Sequence, residues 1–411
     1  MGSSFKSNFN QTKAVWAVFF AAIIAFMGLG LVDPILPVIS QQLGASQTEV
    51  ALLFTGYSAV MAIAMLVTGA ISTRLGIKKT LILGVAIIAV FSTLSGFSDN
   101  VWTIILLRCA WGFGNALFVA VALNAIVSFS NNQTHTTIIL YETAVGLGFS
   151  IGPLAGGLLG NMSWKFPFFG VGILMVLGLI LLAILIPGSK KTNENNNSNN
   201  KEEEGGKSLL DPFRAMKHKH ISVLSIFAFL YNFGFFTLFA YSPFVLGLDA
   251  QGIGFVFLGW GILLAISSIF MAPKIRDRFG TFNSIYYVLS LFVVLLFIMG
   301  IFTSVQWIMI IAIITSGILI GNNNTLLTTA ILHASDVDKS TTSAAYNFVR
   351  FIGSAIAPLL AAFLGEHFFP SIPFLVGGIF VLTAIIFLFV NRKYLPNVDV
   401  VESKFVETSL K

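Results

Sequence analysis

Four charged side chains, Asp33, Arg108, Glu142 and Arg350, fall deep inside long apolar stretches of this 411-residue chain. Two acids and two guanidinium groups in such surroundings can pair with one another, exchange protons or meet an ionic ligand. A charge near a bilayer centre costs about 2.5 to 3.5 kcal/mol on insertion scales, so it faces a partner or a watery cavity. Arginine does not readily lose its proton, which leaves proton carrying to the acids and tuning to the arginines. Tyr57, Asn115, Phe118, Tyr231, Asn232, Tyr241 and Asn347 lie near the middle of apolar stretches or on their expected inner faces. An aromatic and amide lining of this kind, with one acid, suits amphipathic cations through apolar and cation–π contact.

The elements that must position these groups are apolar helices. The composition is 56% hydrophobic and 10% charged, far from the roughly 25% charged of a soluble domain. About twelve apolar segments, from 14–38 to 372–391, can be drawn, each long enough at 1.5 Å per residue to cross a core of about 30 Å. Continuous runs such as 173–186 exclude the alternating ten-residue strands of a membrane barrel. The expected fold class is therefore an all-α membrane protein with twelve transmembrane helices. Arg74, Lys78, Lys79, Lys274, Arg276 and Arg278 gather on one side with both chain ends, and Lys165 stands alone on the other. Loops rich in Lys and Arg stay inside, so both termini are expected in the cytoplasm. The net charge of +6 then reflects topology, and no nucleic-acid partner is expected.

The first apolar run is too long for the core of a cleavable secretion signal, so it is expected to stay in the protein. The one cysteine, Cys109, forms no internal disulfide, and His218 and His220 lie in a basic loop read as a solvated segment. No metal cluster, nucleotide loop or nucleophile motif stands out, so no cofactor and no enzyme activity are expected. Residues 188–219, with Asn193 to Asn197 interrupted only by Glu194 and then Glu202, Glu203 and Glu204, read as a cytoplasmic linker. It separates a bundle over 1–187 from a second over 220–411. Each bundle has six spans and the two are repeats: Thr73-Arg74-Leu75-Gly76 answers Asp277-Arg278-Phe279-Gly280 at an offset of 204, and Gly148 with Pro153 answers Gly353 with Pro358 at 205. Duplicated bundles with a substrate site between them are a recurring transporter architecture.

Across essentially its whole length the chain resembles the major facilitator superfamily, and within it the twelve-span drug:proton antiporters. Gly69, Thr73, Arg74, Gly76, Lys78 and Lys79 resemble the loop signature between spans two and three, with Thr73 where the family has Asp; Asp277 and Arg278 repeat it. Arg108 matches the fourth-span arginine motif, and Gly148, Gly152, Pro153, Gly156 and Gly157 match the fifth-span antiporter motif. Asp33-Pro34-x-x-Pro37 is also similar to exporters of this group. The glycines recur every four residues, so another helix can approach closely, and plain packing and a rocking surface between halves both remain open. The resemblance implies export across the bacterial plasma membrane.

Asp33 lies roughly 8 Å from one end of span one and Arg108 roughly 10 Å from the same side of span four. Spans one and four line one side of the cavity in the resembled fold, so the two are expected to be neighbours. They are read either as a static ion pair or as a switch, since burial favours the protonated carboxyl and a guanidinium the ionised one. Glu142 is a second proton acceptor or an interfacial acid; Arg350 meets an anion, an acid or helix-end carbonyls. The function expected is proton-coupled export of amphipathic or cationic drugs by a monomer. Export of an endogenous metabolite such as a siderophore, or uncoupled facilitation, stays open as the alternative.

Overall fold

The computed structural model describes residues 11–130, 134–187, 211–333 and 339–395. Among them twelve helices are long and apolar enough to cross a membrane, and no strand occurs. They are α1 Lys13–Leu43, α2 Gln47–Leu75, α3 Ile77–Phe97, α4 Val101–Phe129, α5 Thr134–Met162 and α6 Phe166–Leu185 in the first bundle. The second holds α7 Lys219–Val245, α8 Ala250–Phe279, α9 Thr281–Ile301, α10 Gln306–His333, α11 Lys339–His367 and α12 Ile372–Val390. Of the linker, only its end is described, as the short helix Asp211–Ala215, which packs on α11.

Polar residues at the apolar boundaries set where helices begin. The side chain of Ser46 accepts from Glu49 N while the Glu49 carboxylate accepts from Ser46 N, a reciprocal cap for α2. Asn100 and Asp249 cap α4 and α8 in the simpler way. The duplication is written into the backbone: Gly44 and Gly247 have φ of 62° and 63°, and Gly76 and Gly280 share φ 78° and ψ 161°. A side chain would be strained at those angles, which is why glycine holds both turns.

Packing repeats as well. α1 lies on α5 as α7 lies on α11, α2 on α4 as α8 on α10, and α3 on α6 as α9 on α12. Between bundles the main seams are α2 with α11 and α5 with α8. Large apolar side chains such as Leu106, Ile173, Ile184 and Ile311 remain exposed, as a surface solvated by lipid requires. Helix ends on one side carry Arg74, Lys78, Lys79, Arg276, Arg278, Arg392 and Lys393, and those on the other carry Glu49, Asp99, Asp249 and Glu366 with Lys165. These sides are called the basic and acidic faces below.

Candidate functional site

The first bundle buries Arg108 completely, on α4. Its Cζ lies 4.5 Å from the Trp111 ring centre, 4.6 Å from Tyr57 and 6.0 Å from Phe54, and Nη1 donates to the Gly28 carbonyl at 3.3 Å. Dry cation–π contacts of this kind contribute about 2 kcal/mol. The cage needs close helices. A Cβ on Gly28 would lie 2.7 Å from Trp111, and one on Gly112 would run into the Tyr57 carbonyl. Asn115 Nδ2 donates to the Tyr57 hydroxyl at 2.5 Å, fixing that ring.

Asp33 sits where α1 breaks. The α-helix runs Lys13–Gly30, a tight turn covers Asp33–Ile35, and helix resumes over Leu36–Leu43. Pro34 and Pro37 supply no backbone N–H, so an unbroken ladder cannot form here. Asp33 is wholly buried and neither carboxyl oxygen has a hydrogen-bond partner; Arg108 Nε and Nη2 also lack one. Although the two groups lie within each other's field, no Asp33–Arg108 ion pair forms among the described residues. The guanidinium is compensated by π faces and one carbonyl, which leaves the acid without a direct partner. Of the two readings of this pair, the static ion pair is thus not the arrangement in this structure.

The second bundle gathers mostly neutral groups, together with the half-buried Arg350. Tyr231 on α7 is buried and its hydroxyl donates to Asn324 Oδ1 at 3.2 Å, with Asn323 buried beside it. Asn232 Nδ2 donates to the Arg350 carbonyl at 3.1 Å while its Oδ1 is buried without a partner. The Arg350 guanidinium, half-buried, lies 6.0 Å from the Tyr346 ring. Asn347 Nδ2 donates to Ser343 one turn back on α11. Tyr241 packs on Phe374 and touches Gly365 near the acidic face, and Phe118 presses against Gly84 on the α3 seam. Glu142 lies on α5 with its side chain outside the described residues, so its relation to Arg350 is outside them too. Between the bundles, Phe149 lies 6.5 Å from both Phe239 and Trp260 and 5.9 Å from Phe26.

The Major Facilitator Superfamily profile matches residues 18–358. The chain belongs to this superfamily. It is 47% identical over 389 residues to the multidrug efflux protein YfmO of Bacillus subtilis (strain 168), covering 95% of this chain and 96% of that protein. It is 24% identical over 309 residues to the quinolone resistance protein NorA of Staphylococcus aureus (strain MRSA252), covering 74% and 77%. A bacterial homologue of the human lysosomal transporter Spinster shares the fold, with a TM-score of 0.72 at 15% identity over 93% of this chain and 97% of that one. Like other members of the Major Facilitator Superfamily, the chain is a transporter, a multi-pass protein of the plasma membrane.

Within this superfamily fold, the motif residues divide by what they touch. On the fifth-span motif, a Cβ on Gly148 would lie 2.7 Å from the Ile23 carbonyl, one on Gly152 2.6 Å from the Met27 carbonyl, and one on Gly156 would run into the Leu31 carbonyl. That ridge therefore clamps α1 of the same bundle, up to the turn that holds Asp33. Pro153 packs against Gly30, and Gly157 alone of the four glycines presses on the Ala250 carbonyl of α8, across the bundles. In the loop motif, Gly69 faces open space, Arg74 is exposed, Gly76 makes the turn, and Lys78 Nζ donates to the Ala183 and Ile186 carbonyls. Those carbonyls end α6, where a cation complements the helix dipole. In the repeated motif, Arg276 pairs with Asp277 and Arg278 lies over Phe279. On the acidic face Thr48 N and Oγ1 both donate to Glu366 Oε2 across the bundles, at 3.0 and 2.6 Å.

Sequence reasoning did not single out Trp111, Phe54, Asn323, Asn324, Trp260 or Phe149. Two signals pointed to some of them: Trp111 follows Arg108 by three residues, on the same helix face, and Asn322-Asn323-Asn324 is a costly polar run inside an apolar span.

Proposed function

We propose that this protein exports small amphipathic or cationic drugs in exchange for protons, by alternating access across the seams α2–α11 and α5–α8, with the basic face in the cytoplasm. The observation that carries the proposal is the Asp33 carboxyl, wholly buried at the break in α1 with no donor to either oxygen. An ionised carboxylate is costly in that setting. A carboxyl that is neutral in one state and ionised when Arg108 or a cationic substrate draws near couples proton release to substrate movement. The 47% identity to a multidrug efflux protein supports the substrate class and the direction. The excess of bases on one face supports the orientation. Asp33→Asn keeps the size of the side chain and removes its proton. In proteoliposomes with an imposed pH gradient, the variant is expected to lose gradient-driven uptake of a cationic dye yet retain dye exchange at equal pH. Full gradient-driven transport by Asp33→Asn overturns the proposal. Efflux in cells that survives a protonophore unchanged favours the uncoupled facilitator, and a metabolite phenotype without dye efflux favours the metabolite exporter.

A further inference from the structure

Spans α9 and α12 leave a groove of about 390 Å³ on the second bundle, lined by Asn283, Tyr286, Tyr287, Ile385, Ile386 and Phe389. Tyr287, Ile386 and Phe389 are each more than half exposed, so the walls face the bilayer. Because α9 begins at Thr281 and α12 ends at Val390, the groove opens at the basic face, at headgroup level. The Tyr286 hydroxyl is buried there without a hydrogen-bond partner.

Arg392 and Arg278 stand beside its lining, and Lys219 and Lys393 lie on the same face of the protein. Arg392 Nη2 donates to Asn283 Oδ1 at 3.1 Å, with Cζ 6.0 Å from the Tyr286 ring. Arg278 lies 5.3 Å from Phe279, whose ring packs edge-on to Tyr287 at 5.4 Å. Lys219 and Lys393 stand 4.7 and 5.1 Å from the Tyr394 ring, and their charge, Lys219 first, holds that exposed phenol below its usual pKa. None of these four bases pairs with a carboxylate among the described residues. In the first bundle the α3–α6 end is different: Lys78 is spent on the carbonyls that close α6.

We propose that this groove binds one anionic phospholipid, an acyl chain lying along Ile385, Ile386 and Phe389 and the phosphate held by Arg392 and the Tyr286 hydroxyl. Arg278, Lys219 and Lys393 add the field that selects a net negative headgroup, since each base near a membrane surface favours anionic lipid by about fivefold. A guanidinium with a neighbouring hydroxyl suits phosphate oxygens geometrically. The aromatic and branched walls suit a hydrocarbon chain and give soluble phosphate nothing to hold.

The test is native mass spectrometry of the full chain in detergent with equal phosphatidylglycerol and phosphatidylcholine of identical chains. One phosphatidylglycerol per chain should be retained at least about fivefold in preference. Arg392→Gln should reduce that preference severalfold, Tyr286→Phe should weaken retention of both lipids, Lys79→Gln should leave retention and preference as they are, and Ile386→Trp should remove retention of both lipids. Thermal melting of each variant checks that it is folded. Equal retention of the two lipids, a preference that Arg392→Gln leaves intact, or retention that Tyr286→Phe leaves intact overturns the proposal. Displacement of the lipid by soluble glycerol phosphate overturns it as well.

Discussion

Gly112 and Gly317 press against the same kind of place on their neighbours, the Tyr57 and Trp260 carbonyls, and Gly76 and Gly280 turn through the same angles. Yet α4 buries Arg108 where the matching stretch 311–314 of α10 carries only hydrocarbon, and α1 breaks at Asp33 where the matching stretch 236–239 of α7 stays helical. The second bundle answers with Tyr231, Asn232, Asn323 and Asn324, all neutral. Duplication thus preserved what two six-helix bundles need to pack, which is backbone approach at a few glycines. It did not preserve charge. One bundle wholly buries an acid and a base that the membrane penalises, and the other, with Arg350 only half-buried, gathers neutral hydrogen-bonding groups.

The contrast is sharpest at the arginines, and the largest effect is expected there. Arg108→Ala empties a cage of three rings and takes away a base whose field reaches Asp33. Gradient-driven efflux in vesicles should fall to background, and the melting temperature in detergent should drop, since emptying a buried site of this size costs about 2 to 5 kcal/mol. Arg350→Ala removes a half-buried group that lies 6.0 Å from one ring, that of Tyr346, where Arg108 is wholly buried among three. It should leave a measurable fraction of efflux and a melting temperature close to that of the parent. Arg108→Lys keeps the charge and loses the planar stacking, so partial recovery separates field from packing. If Arg350→Ala proves as damaging as Arg108→Ala, the asymmetry between bundles is wrong.

A smaller effect tests the glycines, where the bundles agree. Gly156→Ala sets a methyl against the Leu31 carbonyl, and Gly353→Ala sets one 2.6 Å from the Phe229 carbonyl. Neither backbone can yield easily, so each should lose about 1 to 3 kcal/mol in thermal or denaturant melts. Gly69→Ala meets open space inside α2 and should be neutral or gain up to about 1 kcal/mol from helix propensity. Equal melts for all three would show that the close approach carries no energy.

What could be read ahead from the residues follows the same division. The twelve helices were legible because length and hydropathy suffice to define a span, and the repeat was legible because Gly76 and Gly280 must both be glycine. Arg108 and Asp33 stood out for their cost in lipid. The lack of a direct ion pair between them did not, since a helix rise assumes an unbroken helix and α1 is broken at Pro34. The glycine ridge of α5 was visible as a ridge, but spacing alone does not name the partner, and α1 rather than the opposite bundle fills it. Trp111 and Phe54 were hidden by their kind, because aromatic residues are spread throughout the spans and only proximity to a guanidinium distinguishes these.

The smallest expected effect divides the two chemistries most cleanly. Asn324→Leu keeps an apolar span and removes an acceptor for the Tyr231 hydroxyl, in the bundle opposite Asp33 and Arg108. Asn115→Leu instead frees the Tyr57 ring that stacks on Arg108. One lost hydrogen bond is worth about 0.5 to 1.5 kcal/mol, so Asn324→Leu should raise the half-saturating dye concentration by about two- to tenfold and leave the dependence of efflux on pH gradient unaltered. Asn115→Leu should change that dependence, because it alters how firmly the guanidinium is held near Asp33. A shifted gradient dependence in Asn324→Leu would mean that the amide side also takes part in proton coupling, and charge handling would then be shared by both bundles.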